Sequence, residues 1–294
     1  MKNQDKQSDL AACDNTLFVT GRCNNRCLMC CQPPVEREEG DELLDGCRRL
    51  VEGAPCDLPQ IAITGGEPTL LDGRLFDLIA LIRHTLPRTE IQLLSNGRAF
   101  ASEPFARRLA QVASDPRFIY VGVPLHSDYG GDHDGVTGVR GSFDETLQGL
   151  YNLALCEIPV ELRVVVQASN YRRLPRMADF IFRYLPFVSS VAFMALEDRG
   201  WCRKNPSKVW VEPQQYMPLL RQAVLTLAGW QMEVKLFNYP LCLLPADLHP
   251  FACRSISPWK VRYLPLCEGC SLRAGCGGLF ATSHRLFQGV EKKG

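Results

Sequence analysis

Three cysteines fall within eight residues in Cys23-Asn24-Asn25-Arg26-Cys27-Leu28-Met29-Cys30, close enough for their thiolates to share one soft metal centre. They cannot complete a four-cornered one. A structural zinc site or a closed four-iron cluster takes a fourth ligand from the chain, whereas an open corner is what a substrate-binding or cofactor-binding centre keeps. Three readings compete: a disulfide framework, a zinc knuckle completed from elsewhere, and an open-cornered [4Fe-4S] cluster. The polar stretch Met1–Leu10 is no secretory signal, and 294 residues need no staples, which disfavours disulfides. Zinc sites more often use two-residue spacings on both arms, which disfavours zinc.

Such a centre needs a frame, and the hydrophobic pattern supplies one. Short β-branched and aromatic runs predict strands at Thr16–Thr20, Gln60–Thr64, Glu90–Leu94, Arg117–Pro124, Val160–Val166 and Ser189–Leu196, with a further short one at Val234–Phe237. Helical spacing predicts helices from Asp41 to Leu50, from Pro68 to about Leu86, over Glu103–Val112, from Ser142 or Asp144 to Ala154, over Leu174–Tyr184 and over Val211–Gly229. Six strand-helix alternations define a parallel α/β architecture without fixing whether the sheet closes. The cysteine loop follows the first strand.

The other residues with chemical potential also sit at strand exits. Gly65-Gly66-Glu67-Pro68 leaves the second strand: the glycines allow a ligand to approach the backbone, Glu67 offers a carboxylate to an ammonium group, and Pro68 suits the first turn of a helix. Ser95-Asn96-Gly97 ends the third strand as turn punctuation or as a ligand contact. After the fourth strand comes the longest irregular stretch, His126 to Gly141, expected as a substrate-reading loop. Within it His126 and His133 are candidate catalytic groups, although His133 and Asp134 read first as loop-fixing residues. Glu197, after the sixth strand, is a third candidate, with a solvated turn as its plainer reading.

A second cysteine group, Cys242, Cys253, Cys267, Cys270 and Cys276, lies among prolines and glycines with little periodicity, and such loops need a metal to hold them. Cys242, Cys267, Cys270 and Cys276 are the expected ligands, with Cys253 the alternative; zinc competes here with iron and sulfide. Cys13, Cys47, Cys56, Cys156 and Cys202 lack ligand spacing and read as buried small hydrophobes. The net charge of +1, with acids and bases mixed, leaves no nucleic-acid footprint. No apolar stretch reaches the length of a membrane span, so a soluble cytoplasmic protein is expected.

The N-terminal run resembles the cluster-binding loop of the radical S-adenosylmethionine (SAM) superfamily, whose open iron chelates the amino and carboxyl groups of SAM; Met29 stands where an aromatic residue is usual. Gly65, Gly66, Glu67 and Pro68 match the motif that binds the methionine end of SAM, and Ser95 and Asn96 match a turn that contacts its ribose or carboxylate. His133-Asp134-x3-Gly138-x2-Gly141-Ser142-Phe143 is similar to a segment of peptide-modifying members. The C-terminal cysteines resemble a shortened auxiliary-cluster domain, with Phe280 where the longer one has another cysteine, which implies one auxiliary [4Fe-4S] cluster. Ser255-Ile256-Ser257-Pro258-Trp259-Lys260, Tyr263-Leu264-Pro265 and Cys276-Gly277-Gly278-Leu279-Phe280 resemble the tail of the His-Xaa-Ser system radical SAM maturases, the shorter of that system's two enzymes.

The resemblance implies a partial (β/α)6 TIM-like barrel over 13–232, after a flexible lead-in over 1–12, and a small irregular iron-sulfur domain over 233–294. It implies reductive cleavage of SAM and use of the 5′-deoxyadenosyl radical on a ribosomally made peptide rich in His-Xaa-Ser repeats, by cross-linking or oxidation. Its partners would be that precursor peptide, an electron donor such as a flavodoxin or ferredoxin, and a peptide-presenting protein or second maturase. The alternatives are a radical SAM enzyme acting on a small molecule or nucleoside, and a non-catalytic iron-sulfur scaffold or electron carrier.

Overall fold

The computed structural model describes residues 15–35, 42–254 and 258–293. The expected lead-in over 1–12, Cys13, the helix start at Asp41 and Ser255–Ser257 of the tail motif lie outside the described residues. Strands and helices alternate as the hydrophobic periodicity requires: β1 (Thr16–Phe18), α1 (Glu42–Glu52), β2 (Gln60–Thr64), α2 (Gly73–Thr85), β3 (Glu90–Leu94), α3 (Glu103–Ala113), β4 (Ile119–Pro124), α4 (Gly130–Thr137), α5 (Ser142–Leu155), β5 (Val160–Val165), α6 (Leu174–Tyr184), β6 (Ser190–Met194), α7 (Pro206–Val209), α8 (Pro213–Gly229), β7 (Glu233–Phe237) and β8 (Ala252–Cys253). A short antiparallel pair, β9 (Val261–Arg262) with β10 (Leu279–Phe280), lies in the C-terminal region. The fold is α/β, with a parallel sheet of eight strands in chain order. That order is open, so the barrel is not closed, and the dipeptide strand β8 was too short to be read from periodicity.

The chain divides into two compact units, Met1–Arg26 with Pro33–Val123 and Asp144–Glu161, and Cys27–Gln32 with Pro124–Phe143 and Leu162–Gly294. In the first, Leu17 lies opposite Ile63, Ile61 opposite Ile91, and Ile91 opposite Ile119, so the sheet buries one aliphatic layer. In α2, Leu75, Leu78, Ile79 and Ile82 are all fully buried, each worth about 1.5–3 kcal/mol of burial. In the second unit Val191 pairs with Val234 and Phe237 with Cys253. No helix among the described residues is long and apolar enough to cross a membrane.

The glycine-rich stretch after β4 is not irregular throughout, since Gly130–Thr137 forms α4. Burial of His133, Val136 and Thr137 on one face outweighs the poor helix propensity of its glycines. Gly138 stops the helix at φ +68°, and its N–H donates to Asp134 O at 2.8 Å.

In the second unit Asn170, 1% exposed, ties the exits of β4 and β5 together. Its Nδ2 donates to His126 O at 3.1 Å and to Val165 O at 2.9 Å, and its Oδ1 accepts from Gln167 N at 2.9 Å. Asn170→Ala strands those three buried groups. It should lower the unfolding free energy by about 3 kcal/mol in urea titrations, and a loss under about 0.5 kcal/mol would show that the exits do not depend on it.

Candidate active site

The exit of β2 is laced to the exit of β1 through the backbone. Gly66 N–H donates to Thr20 O and Glu67 N–H to Arg22 O, both at 2.7 Å, and Val35 N–H returns to Gly21 O at 3.0 Å. A Cβ on Gly65 would stand 2.3 Å from Thr20 O, and one on Gly66 would stand 2.2 Å from Arg22 O. The pair of glycines is therefore required by the approach of the cysteine loop's own backbone.

Glu67 stands next to this lacing. It is fully buried, and its carboxylate is filled by the chain. Oε1 accepts from Thr69 N (3.1 Å), Thr69 Oγ1 (2.7 Å) and Ser95 Oγ (2.8 Å), and Oε2 accepts from Asn96 N (2.6 Å). Burial pushes its carboxyl above the ordinary range, and these four donors pull the other way. Glu67 is thus the N-cap of the short turn Pro68–Leu71, with Pro68 in its first position, and it braces β2 against β3.

The turn after β3 carries the brace onward. Asn96 Nδ2 donates to Asn24 Oδ1 at 2.6 Å, and Ser95 Oγ also accepts from Gly97 N at 3.1 Å. Arg98, which the sequence reading missed, donates through Nη1 to Asn24 O (2.9 Å) and to Asn25 Oδ1 (2.7 Å). Only its place beside a turn already singled out could have pointed to it.

Cys23 belongs to this first unit, and its Sγ accepts from Asn25 N at 3.3 Å. Cys27 and Cys30 belong to the second, where Cys30 N–H donates to Cys27 O at 3.0 Å and burial raises the Cys30 thiol above its ordinary value. There Leu28 and Met29 pack against Leu196, Cys202 and Val209. Cys23, Cys27 and Cys30 are all partly exposed. Among the described residues no three His, Cys, Asp or Glu side chains converge tightly enough to hold a single metal ion. Thiols are the donor type that a soft metal group takes.

His126 and His133 stack in the second unit with ring centroids 5.1 Å apart, and each is 1% exposed. His133 Nδ1 accepts from His126 N at 3.3 Å, which makes it a loop-fixing residue. Asp134 accepts from Gly141 N (2.6 Å), Ser142 Oγ (2.8 Å) and Phe143 N (2.9 Å), so it fixes the start of α5 and its carboxyl is held below the ordinary range despite burial. Burial drives the His133 ring down to about 4 and His126 well below its usual value, so both are neutral near pH 7. Glu197 is partly exposed and accepts the Thr282 hydroxyl of the C-terminal segment.

Further along, Cys242, Cys267, Cys270 and Cys276 line one pocket with Tyr263 and Arg273; Cys253 does not, and its thiol donates to Phe251 O instead. Cys276 Sγ accepts from Leu241 N and from Gly278 N, both at 3.4 Å, and such amides stabilise a thiolate ligand. Gly278, at φ +66°, has no room for a Cβ, which would meet Val261 Cγ1 at 2.6 Å. Four cysteines lining one space are the donor type that a closed sulfur-ligated group takes. Among the cysteines read as buried, Cys47 and Cys202 are so, Cys156 is partly exposed, and Cys56 is exposed.

Residues 17–181 match the family model described as Radical SAM superfamily, and the chain belongs to that superfamily. The family implies a [4Fe-4S] cluster and SAM. A relative from Methanosarcina barkeri, named Fe-coproporphyrin III synthase, is 28% identical over 165 residues, which is 55% of this chain and 39% of that protein. Streptococcus suis SuiB bound to precursor peptide SuiA has a similar fold, with a TM-score of 0.58 and 13% identity over 78% of this chain and 48% of SuiB. So does anSMEcpe with bound AdoMet and Kp18Cys peptide, with a TM-score of 0.59 and 18% identity over 75% and 62% of the two chains. The chain thus spans less than two thirds of each.

Gly66→Ala should displace the cysteine loop and reduce iron bound after anaerobic reconstitution by about half or more, whereas Gly53→Ala, at an open helix end, should leave it unchanged. Equal iron in the two variants would contradict the lacing. The buried histidines set a pH dependence: the unfolded chain takes up a proton near pH 6.5, whereas folded His133 does so only near pH 4. Stability should therefore fall as pH drops through that window, by roughly 1.4 kcal/mol per unit for each of His133 and His126. His133→Asn should flatten the slope by about half in acid urea titrations; an unchanged slope would mean that His133 titrates normally.

Proposed function

We propose that the chain is a radical SAM peptide maturase of the His-Xaa-Ser type, modifying a ribosomally made peptide by cross-linking or oxidation. The observation that carries this reading is the four-cysteine cavity beyond the residues matched to the superfamily, because a second sulfur-ligated centre suits a reaction that removes electrons from its substrate. The fold likeness to two proteins whose structures hold a peptide supports the substrate class.

When bound, the cluster and SAM supply a 5′-deoxyadenosyl radical that takes a hydrogen atom from the substrate. Cys23, Cys27 and Cys30 would hold that cluster, and Cys242, Cys267, Cys270 and Cys276 an auxiliary one. Gly65, Gly66 and Glu67 keep the cysteine loop in register, while Ser95 and Asn96 carry that brace to β3. The methionine end of SAM would meet the half-buried backbone of the Gly65-Gly66 exit, with the Glu67 carboxylate behind it and not on the ammonium group. Leu28 and Met29, packed on Leu196 and Val209, help exclude water beside the cysteines. A flavodoxin or ferredoxin would deliver the electron.

Action on a small molecule is the second reading, favoured by the 28% identity to a protein named Fe-coproporphyrin III synthase. Co-expression with a His-Xaa-Ser repeat peptide, followed by mass spectrometry, separates the two: a mass loss of hydrogen pairs supports the maturase, and an unmodified peptide with SAM still consumed supports the small molecule. Cys27→Ala should abolish 5′-deoxyadenosine formation, whereas Cys267→Ala should spare some of it and lose product. A Cys27→Ala enzyme that still made 5′-deoxyadenosine would overturn both readings.

A further inference from the structure

The exit of β6 makes contacts in two directions, all inside the second unit. Toward the cysteine run, Trp201 N–H donates to Cys30 O at 2.8 Å. Gly200 lies against the same backbone at φ +59°, where a Cβ would stand 2.4 Å from Cys30 O and 2.7 Å from Cys31 O. Glycine alone gives both the turn and the approach. Asn205 Nδ2 adds bonds to Leu28 O (3.2 Å) and Trp201 O (3.1 Å).

In the other direction the same exit grips the chain that follows β10. Asp198 is only 7% exposed. Its N–H donates to Ser283 Oγ (2.8 Å), its carbonyl accepts from His284 N (3.2 Å) and its Oδ2 accepts from Arg285 N (2.8 Å). Its Oδ1 takes the Cys202 thiol at 3.8 Å, and Glu197 accepts from Thr282. Four consecutive strap residues, Thr282–Arg285, are thus held by two neighbouring acids. Between the two sets of contacts run Arg199 N to Glu197 O (2.9 Å) and Cys202 N to Arg199 O (3.2 Å), so the segment is a folded turn that transmits displacement.

We infer that Asp198 is a positioning residue: it locks the strap Thr282–Arg285 onto the exit of β6 and, through Gly200 and Trp201, fixes the backbone at Cys30. The third cysteine of the N-terminal run and the chain leaving the four-cysteine cavity are then set by one segment, Glu197–Cys202. A loop without a strand partner is defined by its few backbone bonds, and Cys30 O has its bond to this segment. Removing the buried carboxylate strands Arg285 N–H and frees the turn. The inference stands apart from the peptide reading, because it concerns the chain's own contacts whatever the substrate is.

Amide hydrogen exchange on the full chain tests it. In Asp198→Ala the amides of Ser283–Arg285 and the Trp201 amide should both exchange about tenfold faster or more, while the Leu28 amide, bonded to Val136 O at 2.9 Å, keeps its rate. Asp198→Asn, which keeps an acceptor for Arg285 N–H, should return Trp201 to within about twofold of the parent. Faster strap exchange with an unchanged Trp201 amide would overturn the coupling, as would no change at either place. Should Asp198→Ala fail to fold, Ser283→Ala removes one strap bond and should speed Trp201 and Arg285 together by about threefold; acceleration of Arg285 alone would count against the proposal.

Discussion

A carboxylate shut away from water must find donors inside the protein or be expelled, and Glu67 finds four on two neighbouring strand exits. That requirement fixes Thr69 against the exit of β2 and Ser95 and Asn96 at the exit of β3. Asn96 and Arg98 then take hold of Asn24 and Asn25, inside the cysteine run. The first half of the cysteine run is therefore positioned by a chain of hydrogen bonds that begins at one buried carboxyl group. The glycines before it complete the arrangement, since any side chain at Gly65 or Gly66 would strike the backbone of Thr20 or Arg22.

The second half of the run is held by other means. Cys30 O is met by Trp201 N–H, Leu28 by Val136 O, and Leu28 and Met29 by an apolar group around Leu196 and Val209. This half of the run is thus placed by residues far along the chain. The C-terminal cysteines follow a different economy: little regular structure surrounds them, and the thiols themselves line the space that a ligand would fill.

Much of the frame was legible because parallel strands covered on both sides leave plain aliphatic runs: β2, β3 and α6 have the bounds that periodicity predicts. α4 was not, because its glycines and acids argue against a helix and only the burial of His133 and Val136 creates one. At the site, residue identity was legible but direction was not. Gly65-Gly66-Glu67-Pro68 stands out at any strand exit, yet nothing in four letters tells whether a carboxylate faces a ligand or its own chain. Arg98, Asp198 and Gly200 were invisible for the same reason, since their partners lie tens of residues away.

The most direct test is a crystal structure of the anaerobically reconstituted protein with SAM bound. The Glu67 carboxylate should still accept from Thr69, Ser95 Oγ and Asn96 N, with the Gly66 and Glu67 amides on Thr20 O and Arg22 O. A Glu67 side chain swung out of this cage onto the ammonium group of SAM, with Ser95 and Asn96 released, would contradict the account.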